Sequence, residues 1–184
     1  MVQASELVAA ARDADIVALS QLLAQLGDDK SVLNEAPADA ADGFTALHEA
    51  AKAGHVSIVD LLVKSGADPL TRAGPSTKGA QALHVAMRAG HLSVVSALLA
   101  AGVSVDSQLL DGWTCAHFAI LNSDVPMLSV LLKAGADLTI KTGPGFGMYA
   151  EATPAELASA QAIKSLIGTH LEMRKAALEN ARSD

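Results

Sequence analysis

Residues 48–55, which read HEAAKAGH, contain the residue types of a zinc peptidase motif. The HExxH motif holds zinc with two histidines four positions apart, so that both imidazoles lie on one helix face. In this chain the fourth position is Lys52, whose positive charge would repel a metal ion. His55 lies seven residues from His48 and follows a glycine, which favours the end of a helix. The spacing therefore argues against a metal site, and we expect no metal ligand or cofactor here.

The segment around His48 recurs along the chain. TALHEAAKAGHVSIVDLLVKSGAD (45–68) returns as QALHVAMRAGHLSVVSALLAAGVSV (81–105) and TCAHFAILNSDVPMLSVLLKAGAD (114–137), and a shortened copy begins with TPAELA (153–158). One slot of this pattern holds His48, His84, His117 and Glu156, spaced by 36, 33 and 39 residues. Internal periods near 33 residues are typical of arrays of stacked helical units. Because this slot recurs in every copy, we interpret its residues as part of the scaffold.

The recurring slot lies three residues after a Thr or Gln, which is the spacing of a helix capping box. In Thr153-Pro-Ala-Glu156 the hydroxyl accepts from the third helical amide and the glutamate reaches back to the cap amide. A histidine ring nitrogen in this slot can make the same return hydrogen bond. Gln81 replaces the threonine in the second copy, so we predict a weaker cap there.

These residues resemble the ankyrin repeat, whose order is D-G-x-T-x-L-H-x-A-A-x-x-G-H, then I-V-x-x-L-L, then G-A-D. Residues 42–74 match this order almost throughout. The third copy has Ser123-Asp124 in place of Gly-His, and a degenerate first copy at 10–23 has Ala14-Asp15. The resemblance covers roughly residues 5–170. It implies stacked helix–turn–helix units with hairpin-like fingers, which are used for binding other proteins.

The register of the copies predicts an all-α fold, an α-solenoid of about five units in a single array. Two helices of about ten residues are marginal alone, and stacking buries their apolar faces. Alanine-rich helices that approach closely explain a chain that is 51% hydrophobic but only 3% aromatic. The predicted boundaries are a degenerate unit at 5–34, strong units at 42–74, 78–110 and 111–143, a truncated unit at 150–170 and a helical tail at 171–184.

Charge and composition limit the classes of partner. A net charge of −7 argues against a general nucleic-acid binder. Apolar runs are too short for a membrane span, and the N-terminus lacks the basic flank of a signal peptide. Eight acids against three lysines between residues 28 and 68 indicate either a solvated loop or a surface for a basic partner.

Cys115 is the only cysteine of the chain, so no internal disulfide can form. A reducing compartment, cytoplasmic or nuclear, is therefore favoured. A catalytic thiol would need a base held in place by a third group, and His117, two residues on, belongs to the cap. We predict no catalytic residue and no enzyme activity.

The variable positions of the repeat indicate where a partner would bind. In the family's geometry the fingers and first helices line a concave face. The finger positions are Phe44, Ala80 and Trp113, and two large aromatics stand out in a scaffold that uses almost none. The helix positions include Lys52, Arg88, Leu121 and Asn122. We predict that Trp113 contacts the partner, and the alternative left open is that Phe44 and Trp113 pack against adjacent fingers.

Two insertions interrupt the period, at 73–81 and 141–154. The second is rich in glycine, but it lacks the Gly-Lys-Ser/Thr ending and the preceding strand of a phosphate loop. We interpret it as a longer finger. Its apolar residues Phe146, Met148 and Tyr149 either fold back onto the final unit or form a contact surface.

The sequence thus predicts a non-catalytic interaction module for a protein partner, with no small-molecule substrate. Such a module is an adaptor, a subunit of an assembly or an inhibitor of an enzyme. The alternative is a metal-binding or hydrolytic protein that uses the recurring histidines. The predicted protein-binding residues are Phe44, Lys52, Arg88, Trp113, Leu121, Asn122, Phe146 and Tyr149.

Overall fold

A computed structural model describes residues 2–144, 149, 151–159 and 161–180 of the chain. These residues form helices in successive pairs, with no strand among them. The prediction of an all-α solenoid is confirmed. The pairs are α1 (Ala4–Arg12) with α2 (Ile16–Gln25), α3 (Ala46–Ala53) with α4 (Val56–Lys64), α5 (Ala82–Arg88) with α6 (Leu92–Ala100), α7 (Cys115–Leu121) with α8 (Val125–Lys133), and α9 (Pro154–Leu157) with α10 (Gln161–Asn180).

The first helices of successive pairs pack on one another, α1 on α3, α3 on α5, α5 on α7 and α7 on α9. The second helices form a parallel layer, in which α4 packs on α6, α6 on α8 and α8 on α10. Alanines 50, 51 and 86 in the first layer are completely buried, as are Val59 and Leu98 in the second. Small side chains in one layer and larger aliphatic ones in the other form the core between the layers, and Phe44 and Trp113 belong to a second buried cluster at the fingers.

The turn inside each of the first four pairs has the same backbone conformation. Its central residue is left-handed, with φ of 57° at Ala14, 80° at Gly54, 78° at Gly90 and 53° at Ser123. A residue with a Cβ is strained in this conformation, whereas glycine is not. The first and fourth units, which have Ala14 and Ser123 in place of glycine, therefore keep the left-handed turn although their side chains strain it.

The loops between pairs are hairpin-like and are joined by a repeated backbone hydrogen bond. The N–H groups of Gly74, Leu110 and Gly143 donate to the carbonyls of Asp42, Lys78 and Asp111, at 2.8, 2.9 and 2.8 Å. A Cβ on Gly43 would lie 2.6 Å from the nitrogen of Gly74. The glycine of each finger, Gly43, Gly79 or Gly112, thus permits the close approach of the next finger.

The last described helix, α10, is twenty residues long and includes most of the predicted tail. Ile163 and Ile167 are buried against the array, and Leu171 and Met173 are exposed. The side chain of Leu178 and all of residues 181–184 lie outside the described part of the chain. Within the part of the chain that the structure describes, we find no helix with the length and apolar character that a membrane span requires.

Candidate interaction surface

The recurring histidines are held at both ring nitrogens. Nδ1 of His48 accepts from the backbone N–H of Thr45 at 3.3 Å and lies 2.9 Å from its hydroxyl oxygen. Nε2 lies 3.1 Å from the carbonyl oxygen of Ala80, in the loop that leads to the next pair. Because a carbonyl can only accept, Nε2 carries the proton and Nδ1 is the acceptor. Each nitrogen is therefore committed to the scaffold.

His84 and His117 repeat this arrangement. Their Nδ1 atoms accept from the N–H groups of Gln81 (3.3 Å) and Thr114 (3.1 Å), and their Nε2 atoms lie 2.9 and 3.2 Å from the carbonyls of Ser107 and Ala152. Gln81 lacks a hydroxyl, and its side-chain nitrogen donates to the carbonyl of Leu70 instead. The second cap therefore has one donor to the ring where the others have two. The return bond to the cap follows the sequence prediction, but the Nε2 link to the following loop was not predicted.

Burial keeps these histidines neutral. It lowers the pKa of His48 and of His84 to about 4, although the hydrogen bonds to Ala80 and Ser107 act in the opposite direction. The pKa of His117 is also lowered, mainly by burial. Among the described residues no three His, Cys, Asp or Glu side chains are grouped to hold a metal ion. Burial also raises the pKa of Cys115 to about 12, so its thiol is protonated and unreactive at neutral pH.

A second set of histidines, in the turns between the two helices of a pair, bonds to the C-terminal end of the first helix of the preceding pair. Nε2 of His55 lies 3.1 Å from the carbonyl oxygen of Arg12, and Nε2 of His91 lies 2.9 Å from that of Lys52. In the following unit Asp124 occupies this position, and its carboxylate caps its own helix by accepting from the N–H of Met127 at 3.0 Å. The Gly-His histidines therefore act between units, whereas the aspartate acts within one.

Phe44 and Trp113, the two aromatics at finger positions, are only 8% and 4% exposed. The Phe44 ring is parallel to the ring of His48, with centroids 5.5 Å apart. The Trp113 ring contacts Phe118 at 4.9 Å and Tyr149 at 6.1 Å between centroids. Both rings therefore pack against neighbouring side chains, and their contact with a partner stays a prediction. Each ring lies four residues before a capping histidine and covers it.

Lys52, Arg88 and Leu121 lie at one position of successive units, at the C-terminal ends of α3, α5 and α7. All three are exposed, Leu121 by 37%, and Asn122 beside it is exposed as well. The Lys52 ammonium lies 5.1 Å from the centroid of the Phe44 ring, a cation–π contact, and 3.9 Å from the Glu49 carboxylate. These four predicted binding residues are exposed at the surface.

Arg12 occupies the same position at the end of α1 and was missed by the sequence analysis. The available signal was its place two residues before Ala14, just as Lys52 stands two residues before Gly54. The degenerate first unit obscured this correspondence.

Two grooves lie between the ends of the first helices and the adjoining loops, a surface that we call the first-helix face. The groove between α1 and α3 has a volume of about 390 Å³, and Arg12, Asp42, Phe44 and Glu49 are among its lining residues. The groove between α3 and α5 has a volume of about 360 Å³ and is lined by Asp42, Phe44, Lys52, Val85, Arg88 and Ala89, among others. The structure thus brings three predicted residues, Phe44, Lys52 and Arg88, into one groove.

None of the described residues of the long finger lines either of these grooves. Tyr149 is half-buried and packs edge-on against Trp113, so this residue folds back onto the array. Phe146 and Met148, for which a contact surface was the alternative, lie outside the described residues.

Comparison with known proteins identifies the repeats. A family model described as "Ankyrin repeat" matches residues 42–73, and one described as "Ankyrin repeats (many copies)" matches residues 83–150. The chain is also similar to the human protein "Ankyrin repeat domain-containing protein 40", with 38% identity over 69 residues. This alignment covers 37% of the chain and 17% of the human protein, so the chain spans a small part of that relative's length.

Proposed function

Because the chain belongs to the ankyrin-repeat proteins, we propose that it binds a protein partner through its first-helix face. Ankyrin repeats are generally non-catalytic modules for protein–protein interaction. The chain acts by holding its partner, as an adaptor, an assembly subunit or an inhibitor. The buried, unpaired thiol of Cys115 favours a reducing compartment, cytoplasmic or nuclear.

The observation that carries this proposal is the contrast between Arg88 and the other residues of its helix. The remaining residues of α5 are buried in the stack, and His84 closes the cap. Arg88 is exposed at the mouth of the groove and forms no ion pair with the described residues. Arg and aromatic residues are enriched at the centres of protein interfaces. A scaffold has no need of this side chain, whereas a binding surface has.

The competing interpretation, a metal-binding or hydrolytic protein, has less support. A metal ligand must offer a nitrogen lone pair, and the Nδ1 lone pairs of His48, His84 and His117 already accept backbone hydrogen bonds. Recruiting them for a metal would break a helix cap in each unit.

A blocking substitution tests the proposal without assuming the chemistry of the partner. Binders are selected from a displayed peptide library on the immobilised protein and then measured against two variants. Ala89→Tyr places a ring in the groove between α3 and α5, at the exposed residue that directly follows α5. Ala101→Tyr is the matched control, because Ala101 is the exposed residue that directly follows α6. We expect Ala89→Tyr alone to abolish binding, and binders indifferent to Ala89→Tyr would disprove the proposed face.

A further inference from the structure

A row of three cations runs along the first-helix face. Arg12, Lys52 and Arg88 occupy the same position in three successive units, and the row ends at Leu121 in the fourth. All three cations are exposed and line the two grooves. Their alignment contrasts with the composition of the chain, in which 13 Lys and Arg face 20 Asp and Glu.

The spacing within the row is set by the packing of the helices that carry it. The axes of packed helices lie about 8–10 Å apart. The ends of α1, α3 and α5 are also held in register, because His55 bonds to the carbonyl of Arg12 and His91 to that of Lys52. Neighbouring cations of the row are therefore separated by about 10 Å in their mean positions.

The nearby carboxylates do not neutralise the row of cations, which can therefore bind an anion of a partner. Asp13 pairs with Arg12 at 3.3 Å, with both side chains more than half exposed, and Glu49 is 3.9 Å from Lys52. The Arg12–Asp13 pair is exposed and therefore weak, and the longer Lys52–Glu49 pair leaves the half-exposed Lys52 ammonium within reach of a further carboxylate, although the Glu49 side chain itself is only 15% exposed. Arg88 has no ion pair among the described residues. Asp42 lines both grooves and Asp39 also lines the groove between α1 and α3, so these loop carboxylates confine a bound anion to the helix ends.

We propose that this row binds an acidic segment of the partner, with carboxylates about 10 Å apart and apolar side chains between them. In a polyproline II segment, which has three residues per turn and rises about 3.1 Å per residue, this spacing corresponds to an Asp or Glu at every third position, all on one face. The guanidinium groups of Arg12 and Arg88 each bind one carboxylate, and the Lys52 ammonium binds the one between them. The apolar side chains lie against Phe44 and Val85. This inference rests on the proposed function and adds the chemistry of the partner.

The test uses a blocked, fluorescently labelled peptide, Glu-Leu-Ser-Glu-Leu-Ser-Glu, and the same peptide with lysine in place of glutamate. Binding is followed by fluorescence anisotropy at low and high ionic strength. We expect the glutamate peptide to bind and the lysine peptide not to bind, with affinity falling as salt is added. Arg88→Glu should weaken binding of the glutamate peptide by at least about tenfold. Lys64→Glu, at the exposed end of α4, is the matched control and should leave it unchanged.

The outcomes separate this inference from the proposed function. Equal binding of the two peptides, or equal effects of Arg88→Glu and Lys64→Glu, would overturn the acidic-segment proposal. Library-selected binders that are lost in Ala89→Tyr but tolerate Arg88→Glu would overturn it too, while leaving the proposed function in place. A circular dichroism melt of each variant verifies that it is folded, and Arg88→Gln gives the same comparison without charge reversal.

Discussion

The Nε2–H group of His48 donates to the carbonyl oxygen of Ala80, 3.1 Å away and 32 residues along the chain. The other nitrogen of the same ring accepts from the N–H of Thr45, which caps α3. One buried side chain therefore joins a helix start to the loop that leads into the next unit. His117 makes the same link to Ala152 in the following unit, whereas His84 bonds to Ser107 in the loop that follows its own helix pair. Where the bond crosses between units, the folding of one unit depends on its neighbour, as in a nearest-neighbour array.

Replacing His84 with alanine should cost more than the loss of a simple helix cap. The change leaves the N–H of Gln81 and the carbonyl of Ser107 without their partner and also opens a cavity. We expect a loss of about 2–4 kcal/mol in the free energy of unfolding, measured by urea denaturation. Glu156→Ala, at the exposed cap of α9, should cost clearly less than His84→Ala. Equal costs for the two variants would refute the bridging role.

Stability should fall between pH 6.5 and pH 4. The pKa of His48 and His84 is about 4 in the folded chain against 6.5 in the unfolded chain, so the unfolded state binds more protons over this interval. The stabilisation by neutral histidine is complete above pH 6.5 and is lost as the pH falls towards 4, on the order of 3 kcal/mol for each histidine. Urea denaturation across this range should show a slope that shrinks in a His48→Gln, His84→Gln double variant. An unchanged slope would assign the effect to other groups.

Trp113→Ala should lower the free energy of unfolding. The ring is 4% exposed and packs against Phe118 and Tyr149, so its removal leaves a cavity that costs about 3–5 kcal/mol. Leu121→Ala, at an exposed position of the same unit, should change stability by less than about 0.5 kcal/mol. Thermal melts and affinity for a selected binder are measured together. A stable Trp113→Ala variant with lost affinity would return this residue to direct contact with the partner.

Ser123→Gly and Ala14→Gly should each stabilise the protein. Both residues have positive φ, and glycine removes a strain that exceeds its extra entropy in the unfolded chain by about 0.5–1 kcal/mol. The reverse change, Gly54→Ala, should destabilise, because its Cβ would also lie 2.7 Å from the ring of His91. Denaturation midpoints of the three variants provide the comparison, and destabilisation by Ser123→Gly would contradict it.

The sequence predicted best those features that depend on residues close together along the chain, such as the helix caps. The slot of His48, His84, His117 and Glu156 predicted the caps and the register of the helices, because a cap depends on residues only three positions apart. The packing of Trp113 depends on Tyr149, which lies 36 residues away in a loop of irregular length. The groove depends in the same way on helix ends contributed by different units. Arg12 was missed because the first unit lacks the Gly-His pair that would have aligned it.

Asp124 stands where the two preceding units have a histidine, and the contact between units differs at this position. His55 and His91 bond across to the preceding unit, whereas Asp124 bonds to Met127 in its own helix. The junction between the α5–α6 pair and the α7–α8 pair therefore has one cross-unit hydrogen bond fewer at this position. Because a junction with fewer hydrogen bonds opens at a lower free energy, we expect the backbone amides beyond this one to exchange with solvent before those of the preceding units. The N-terminal units, which carry the cation row, would then remain folded while the C-terminal units open and close.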